Sequence, residues 1–342
     1  MEARVDATLR EAVRRLTEGS ERYLLALKVL GSEIVREVER PYSALRFIRF
    51  SLPEGERLVV LKTPRHPLSP QKRPIFARDY EVPARLVQIF RSQPGLGLPA
   101  PVAYFEDLAV IAQEAVPGES LSSRIHRYGR LRPGSDVLAE LKGHCEGAGR
   151  WLRVLHDSHR DAAAPLDITK LRHDVRCRLE VVSAADPSNL DPACCKEILQ
   201  VFDAAAGSVG PEDLKTTLVH GDFALGNILV DGDRVTVIDF SRTASGSAFQ
   251  DLARFHHQLR LFLAKFIYRQ KVVAELALAF RKGYRCEGWE ETPLFRIFTL
   301  RHILTHWKGR VSSRGRSLRE RIYHRILRRW HRREIDRLLR GE

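Results

Sequence analysis

Apolar and polar residues alternate through the first third of the chain. "EIVREV" (33–38) and "LRFIRFSL" (45–52) follow a period of two, and "ERLVVLK" (56–62) is a continuous apolar run. With Gly55-Glu56 as a turn, this pattern predicts strands. "DYEVPARLVQIF" (79–90) has helical character, with Pro83 expected in its first turn or at a kink. "PVAYFEDLAVIAQEAV" (101–116) predicts a hairpin turning at Glu106-Asp107, and "VPGES" (116–120) breaks the pattern as a linker. Beyond it the period lengthens. Leu138, Leu141, Cys145, Ala148, Leu152 and Leu155 mark one face of a helix over 136–156, and further helices are predicted near 168–183, 192–205, 249–284 and 293–307. No internal repeat is present. The expectation is an α+β chain in two lobes: a small β-rich lobe over residues 1–115 and a larger, mainly helical one over 116–310. A basic amphipathic helix over 311–342 follows.

Composition changes this picture little. The 342 residues are 44% hydrophobic, and no apolar run approaches the ~20 residues of a membrane span. The charged start, "MEARVDATLR", lacks the apolar stretch of a secretory signal, so a cytoplasmic location is expected. Five cysteines without a CxxC pair suit reduced thiols, and His156 with His159 lacks the companions of a metal site. Charge is more informative. The net charge is +14, and from Lys308 onward 13 lysines and arginines face 4 acids, placing about +9 in the last 35 residues. An anionic partner is implied: a phosphate-rich substrate, nucleic acid or a membrane surface.

One stretch carries chemistry. "LVHGDFALGNILVDGDRVTVIDF" (218–240) places Asp222 and Asn227 five residues apart on a short loop and ends a second strand at Asp239. Hairpin pairing around Asp231-Gly232 returns Asp239 close to Asn227. Their oxygens would then face one space, as Mg²⁺ sites with substrate phosphates require. Asp222 could accept the proton of a hydroxyl nucleophile. These are the parts of phosphoryl transfer. Turn preference explains Asp231 and Asp233 but not Asp222 and Asp239, which abut apolar segments.

"HGDFALGN" followed by "IDFS" resembles the catalytic loop and metal-binding segment of protein kinases, in the form found in the aminoglycoside phosphotransferase and choline kinase group. The resemblance runs from about residue 30 to 300 and implies a bilobal protein-kinase-like fold with ATP and Mg²⁺ as cofactors. Residue by residue it implies Asp222 as catalytic base and Asn227 and Asp239 as metal ligands. Lys62 in "VVLKTPR" would be the phosphate-contacting lysine, and Glu81 in "RDYEVPARL" its helix partner. Backbone groups of Gln113, Glu114, Ala115 and Val116 in "AVIAQEAVPGESL" would hold adenine. "GRWLRVLHDSH" (149–159) resembles the helix before the catalytic region, and in "FQDLARF" Asp251 would brace the loop that carries His220. The chain departs from the pattern in one place: "ERPYSALRF" (39–47) has no glycine where a phosphate loop is expected, leaving Ser43 and nearby backbone for that contact. No Walker A, G-x-G-x-x-G, G-x-S-x-G or H-E-x-x-H motif competes.

The implied activity is transfer of the γ-phosphate of ATP to a hydroxyl of a small molecule or glycan. The basic field favours an anionic acceptor, such as a phosphorylated sugar or an envelope glycolipid or polysaccharide precursor, over a polycationic aminoglycoside. An antibiotic kinase and a pseudokinase-like binding module are the alternatives. In the tail, Leu318, Ile322, Ile326, Trp330 and Leu338 fall near one helical face among arginines. Two readings stay open: a helix packed on the helical lobe, or one whose residues 316–340 touch an anionic membrane or glycolipid at the inner face. Nucleic acid is a weaker reading, with only Tyr323 and Trp330 available to stack on bases.

Overall fold

Leu9, Ala12, Val13 and Leu16 recur on one helical face, and the chain opens with α1 (Glu2–Glu18) and a further turn, α2 (Ser20–Tyr23). The computed structural model describes residues 2–159, 164–285, 288–311 and 317–340. Three antiparallel strands follow: β1 (Gly31–Glu39), β2 (Ser43–Leu52) and β3 (Gly55–Pro64). α3 (Arg73–Arg91) leads to β4 (Leu96–Gly97) and the hairpin of β5 (Pro101–Phe105) and β6 (Val110–Glu114). After β7 (Glu119–Ser120) come α4 (Leu121–Tyr128), α5 (Ser135–Asp157), α6 (Ile168–Ala185) and α7 (Pro192–Gly207). β8 (Thr217–Val219), the hairpin β9 (Ile228–Asp231) and β10 (Arg234–Val237), and β11 (Ala244–Gly246) are next. The last helices are α8 (Phe249–Arg260), α9 (Gln270–Tyr284), α10 (Pro293–Val311) and α11 (Leu318–Leu339).

These elements divide into two compact units, Met1–Glu119 with Asn227–Thr243, and Ser120–Gly226 with Ala244–Glu342. The first is built on a five-stranded antiparallel sheet in the order β1-β2-β3-β6-β5. Ile48, Phe50, Val59, Leu61, Ala103, Phe105, Val110 and Ala112 of the sheet share one core with Leu9, Ala12, Leu16 and Leu24. Each large side chain buried there contributes roughly 1.5–3 kcal/mol. The N-terminal region is therefore not strands alone, because α1 supplies the cover for this apolar face. Side chains alternate across a strand, so Val60 and Lys62 of β3 point to the face opposite Val59 and Leu61. α3 starts at Arg73, with Pro74 in its first turn, and continues through Pro83. Pro83 thus lies in the helix interior rather than its first turn, where it removes the hydrogen bond to the carbonyl of Asp79.

The second unit is helical. The face predicted for 136–156 is buried at Leu141, Cys145, Ala148, Leu152 and Leu155. α5 and α9 cross closely at two glycines: a Cβ on Gly283 would lie 1.9 Å from the carbonyl oxygen of Glu146, and one on Gly149 2.2 Å from that of Phe280. The helix expected over 249–284 is broken. α8 ends at Arg260, a 3₁₀ turn spans Leu261–Ala264, and α9 starts only at Gln270. The apolar stripe of α11 divides. Leu327, Trp330, Ile335 and Leu338 are buried, whereas Leu318, Ile322 and Ile326 are 66%, 55% and 45% exposed. No helix among the described residues is long and apolar enough to cross a membrane.

Candidate active site

In the first unit, Lys62 projects from β3 and its ammonium pairs with the carboxylate of Asp79 on α3. It also lies 3.4 Å from Oδ1 of Asp239. Burial alone would lower the lysine pKa; Asp79 and Asp239 outweigh it and raise the value, so the cation is held charged. The expectation that Glu81 partners Lys62 is corrected. Glu81 is exposed, because residues two apart on a helix face different ways, and Asp79 occupies the buried face with Phe76, Val82 and Leu86.

Asp239 follows β10 in the left-handed conformation, with φ 70° and ψ 73°. Few non-glycine residues adopt it, and Asp is among those that do. Its Oδ1 accepts a hydrogen bond from the Ser241 hydroxyl at 2.9 Å. The hairpin pairs Val237 with Ile228, and the Ile238 amide donates to the Asn227 carbonyl at 2.9 Å. Asn227 and Asp239 are thus neighbours across the hairpin. Ser43 opens β2 opposite Pro64, beside the end of the strand that carries Lys62. The tight β1–β2 turn closes with the Arg40 amide donating to the Ser43 carbonyl at 2.8 Å. At the end of β6, Gln113 pairs with Val60. The Glu114 amide donates to Ala100 and that of Ala115 to Leu58, each at 2.9 Å. The Glu114 carboxylate accepts from Arg57 at 3.0 Å, and Val116 continues the chain beyond the strand.

In the second unit, buried neighbours hold the loop that carries Asp222. Gly221 has φ 78°, a conformation that favours glycine. Asp251 of α8 accepts from the amides of His220 at 2.6 Å and Gly221 at 2.9 Å. His156 Nε2 lies 3.3 Å from the same carboxylate, and its Nδ1 lies 2.9 Å from the Tyr284 hydroxyl. Phe223 is fully buried against Trp151, Phe255 and Phe280. Between these anchors sits Asp222, whose carboxylate accepts from the guanidinium of Arg254, three residues after Asp251 on α8. Arg254, His156 and Phe223 are parts that sequence reasoning did not assign to the loop.

A sequence model of the phosphotransferase enzyme family (APH) matches residues 35–295. The chain belongs to this family. Solved phosphotransferases share its fold at low identity. Aminoglycoside phosphotransferase APH(4)-Ia superposes with a TM-score of 0.57 at 13% identity over 98% of this chain and 99% of its own. Spectinomycin phosphotransferase APH(9)-Ia, in complex with ADP and spectinomycin, gives 0.55 at 12% identity, covering 96% of this chain and 98% of its own. APH(2")-IIa in a streptomycin–ATP ternary complex gives 0.53 at 16%, covering 91% and 95%. Acyl-CoA dehydrogenase family member 11 of Gallus gallus is 26% identical over 208 residues, 58% of this chain and 25% of that protein. The match thus spans about a quarter of that relative.

The helical unit of this family member also contains two adjoining cavities. One, of about 480 Å³, is lined by His126, Arg127, Arg130, Phe262 and Lys265 together with two serines. The other, of about 220 Å³, shares Phe262 and Lys265 and reaches Arg310, Tyr323 and Leu225, three residues beyond Asp222. Among the described residues, no carboxylate lines either cavity. Partial burial and the neighbouring Arg130 pull the Lys265 pKa below its ordinary value.

Proposed function

We propose that the chain is an ATP-dependent kinase that transfers the γ-phosphate to a hydroxyl of an anionic small molecule or glycan. The observation that carries the acceptor class is the pair of adjoining cavities lined by Arg127, Arg130, Lys265 and Arg310, with no acid among the described lining residues, which continue to Leu225, three residues beyond Asp222. An anion there would relieve the repulsion between Lys265 and Arg130, whereas a polycationic aminoglycoside would add to it.

In this reading the backbone of Gln113 to Val116 receives adenine. The amides of Glu114 and Ala115 are already engaged inward, so Val116 is the amide to bond the base. Lys62 contacts the phosphates, with Asp79 fixing its ammonium, and Ser43 adds a hydroxyl to them. Asn227 and Asp239 offer hard oxygen donors that suit Mg²⁺, and the ion when bound would neutralise phosphate charge. Asp222 orients the acceptor hydroxyl and takes its proton as the new O–P bond forms and the bond to ADP breaks. Arg254 and the His220–Asp251 brace keep that carboxylate in place.

The exposed half-stripe of α11 supports a second element of the reading, a cytoplasmic enzyme in peripheral contact with an anionic membrane or glycolipid. Leu318, Ile322 and Ile326 are exposed together with Arg321, Arg325 and Arg329 on neighbouring positions of the helix. Such a face binds by apolar insertion plus roughly 1 kcal/mol per engaged arginine near an anionic leaflet. Truncating the helix would remove the buried Leu327, Ile335 and Leu338, so point changes are the suitable probe. Arg321, Arg325 and Arg329 changed together to glutamate should abolish co-sedimentation with anionic vesicles at low salt. Wild-type protein that ignores such vesicles overturns this element.

The test of the acceptor class is Mg-dependent ATP turnover against phosphorylated sugars, anionic lipid-linked glycans, amino alcohols and aminoglycosides. Highest kcat/KM is expected with an anionic acceptor, lost on changing Arg130 and Lys265 to glutamate. Preference for an aminoglycoside would favour the antibiotic-kinase alternative, and no turnover with any acceptor the binding-module one.

A further inference from the structure

Three histidines that the catalytic reading leaves unused come together in the helical unit, each from a different helix: His257 on α8, His306 on α10 and His331 on α11. One ring nitrogen from each lies within 4.8 Å of the other two. His306 Nδ1 and His331 Nε2 are 2.9 Å apart, so one donates a proton and the other accepts it. His257 Nε2 is buried with no hydrogen-bond partner among the described residues. An unpaired polar nitrogen in such a place is costly, and native interiors seldom keep one without a reason.

We propose that His257, His306 and His331 bind a divalent transition-metal ion of the Zn²⁺ type and that the ion fastens α11 to α8 and α10. Three imidazole lone pairs with no carboxylate among them suit Zn²⁺ or its neighbours and disfavour Mg²⁺ and Ca²⁺, which take oxygen ligands. The site is therefore chemically distinct from the one assigned to Asn227 and Asp239. Zn–N bonds of about 2.0–2.1 Å in a tetrahedron set ligand nitrogens about 3.4 Å apart. The three nitrogens, all within 4.8 Å of one another and with one pair at 2.9 Å, bracket that separation. His257 and His331 are fully buried, while His306 lines the smaller cavity, which supplies an entry path and room for a fourth ligand. Burial also pulls all three imidazoles below their ordinary range, leaving them neutral and able to ligate.

The experiment uses the full chain, stripped with a chelator and titrated with Zn²⁺ alone while calorimetry and melting temperature are followed. Tight binding near a one-to-one ratio is expected, with a rise of several degrees in melting temperature that chelator reverses. His306→Gln and His331→Gln should each weaken binding at least about tenfold. His302→Gln, a buried histidine of α10 outside the triad, should leave it unchanged. Co²⁺ loaded into the wild type keeps the test open if those variants fail to fold: nitrogen ligation gives a visible absorption without a thiolate charge-transfer band, bleached by Zn²⁺. Absence of uptake, uptake indifferent to both triad substitutions, or a thiolate band would each overturn the proposal.

Discussion

Replacing Asp79 with alanine should damage both stability and nucleotide binding, whereas replacing Glu81 should do neither. Asp79 is 4% exposed and Lys62 15%, so the pair is largely withdrawn from water. Removing one partner of a buried pair costs about 3–5 kcal/mol. Asp239 stays within 3.4 Å of the ammonium and shares its charge, which places the loss near the lower end, at about 3 kcal/mol. At about 2.1 cal/mol/K of unfolding entropy per residue, a chain of 342 residues loses about 1.4 °C per kcal/mol, so the melting temperature should fall by roughly 4 °C. The lysine would then turn toward Asp239, away from the phosphates it is proposed to contact, and affinity for a fluorescent ATP analogue should drop about tenfold, or 1.4 kcal/mol. Glu81 is an exposed helix position, and its change to alanine should stay within about 0.5 kcal/mol. Thermal melts and nucleotide titrations on both variants decide the matter. A Glu81 variant that loses ATP affinity beside an Asp79 variant that keeps it would refute the assignment.

Asp239→Ala should weaken Mg-dependent ATP binding, with partial recovery at high Mn²⁺; unchanged affinity at every metal concentration would rule out its ligand role. Arg254→Ala should lower turnover by roughly 10–100-fold, as expected when a reacting group is misplaced, while ATP affinity holds. Equal loss of both would assign Arg254 a purely structural part. Asp174 lies 2.8 Å from Arg178 and 2.6 Å from Arg301. Burial pushes its carboxyl up, but the two guanidiniums outweigh that and hold it below the usual range. Because the folded value is the lower one, this stabilisation is complete above about pH 4 and fades as pH falls through the folded value. Asp174→Asn should therefore flatten the acid side of a melting-temperature profile in that window, and a profile with unchanged slope would contradict the pairing.

Much of this arrangement was legible because local pattern and packing agree. The alternation at 45–52 and the apolar run at 56–62 became β2 and β3, and the "NILVDGDRVTVIDF" hairpin placed Asn227 near Asp239 as its turn chemistry dictates. Three features escaped for separate reasons. α1 was hidden by its charge, although Leu9, Ala12, Val13 and Leu16 carry the helical spacing. Asp79 and Glu81 are alike in chemistry and only two residues apart, yet Phe76, Val82, Leu86 and Phe90 set the phase of α3's buried face, which includes Asp79 and excludes Glu81. The break after Arg260 has no proline or glycine to announce it and depends on tertiary packing. Arg254 likewise gave no signal beyond its place one helical turn from Asp251.

The proposed activity is tested most directly by phosphoryl transfer from γ-labelled ATP to an anionic hydroxyl acceptor, measured for the wild type and Asp222→Asn beside their ATP affinities. Label should pass to the acceptor in the wild type and fall by about 10²–10⁴-fold in the variant, with nucleotide affinity nearly intact. An Asp222→Asn protein that keeps more than about a tenth of wild-type turnover would contradict the role of Asp222 as the base, given the size of that contribution.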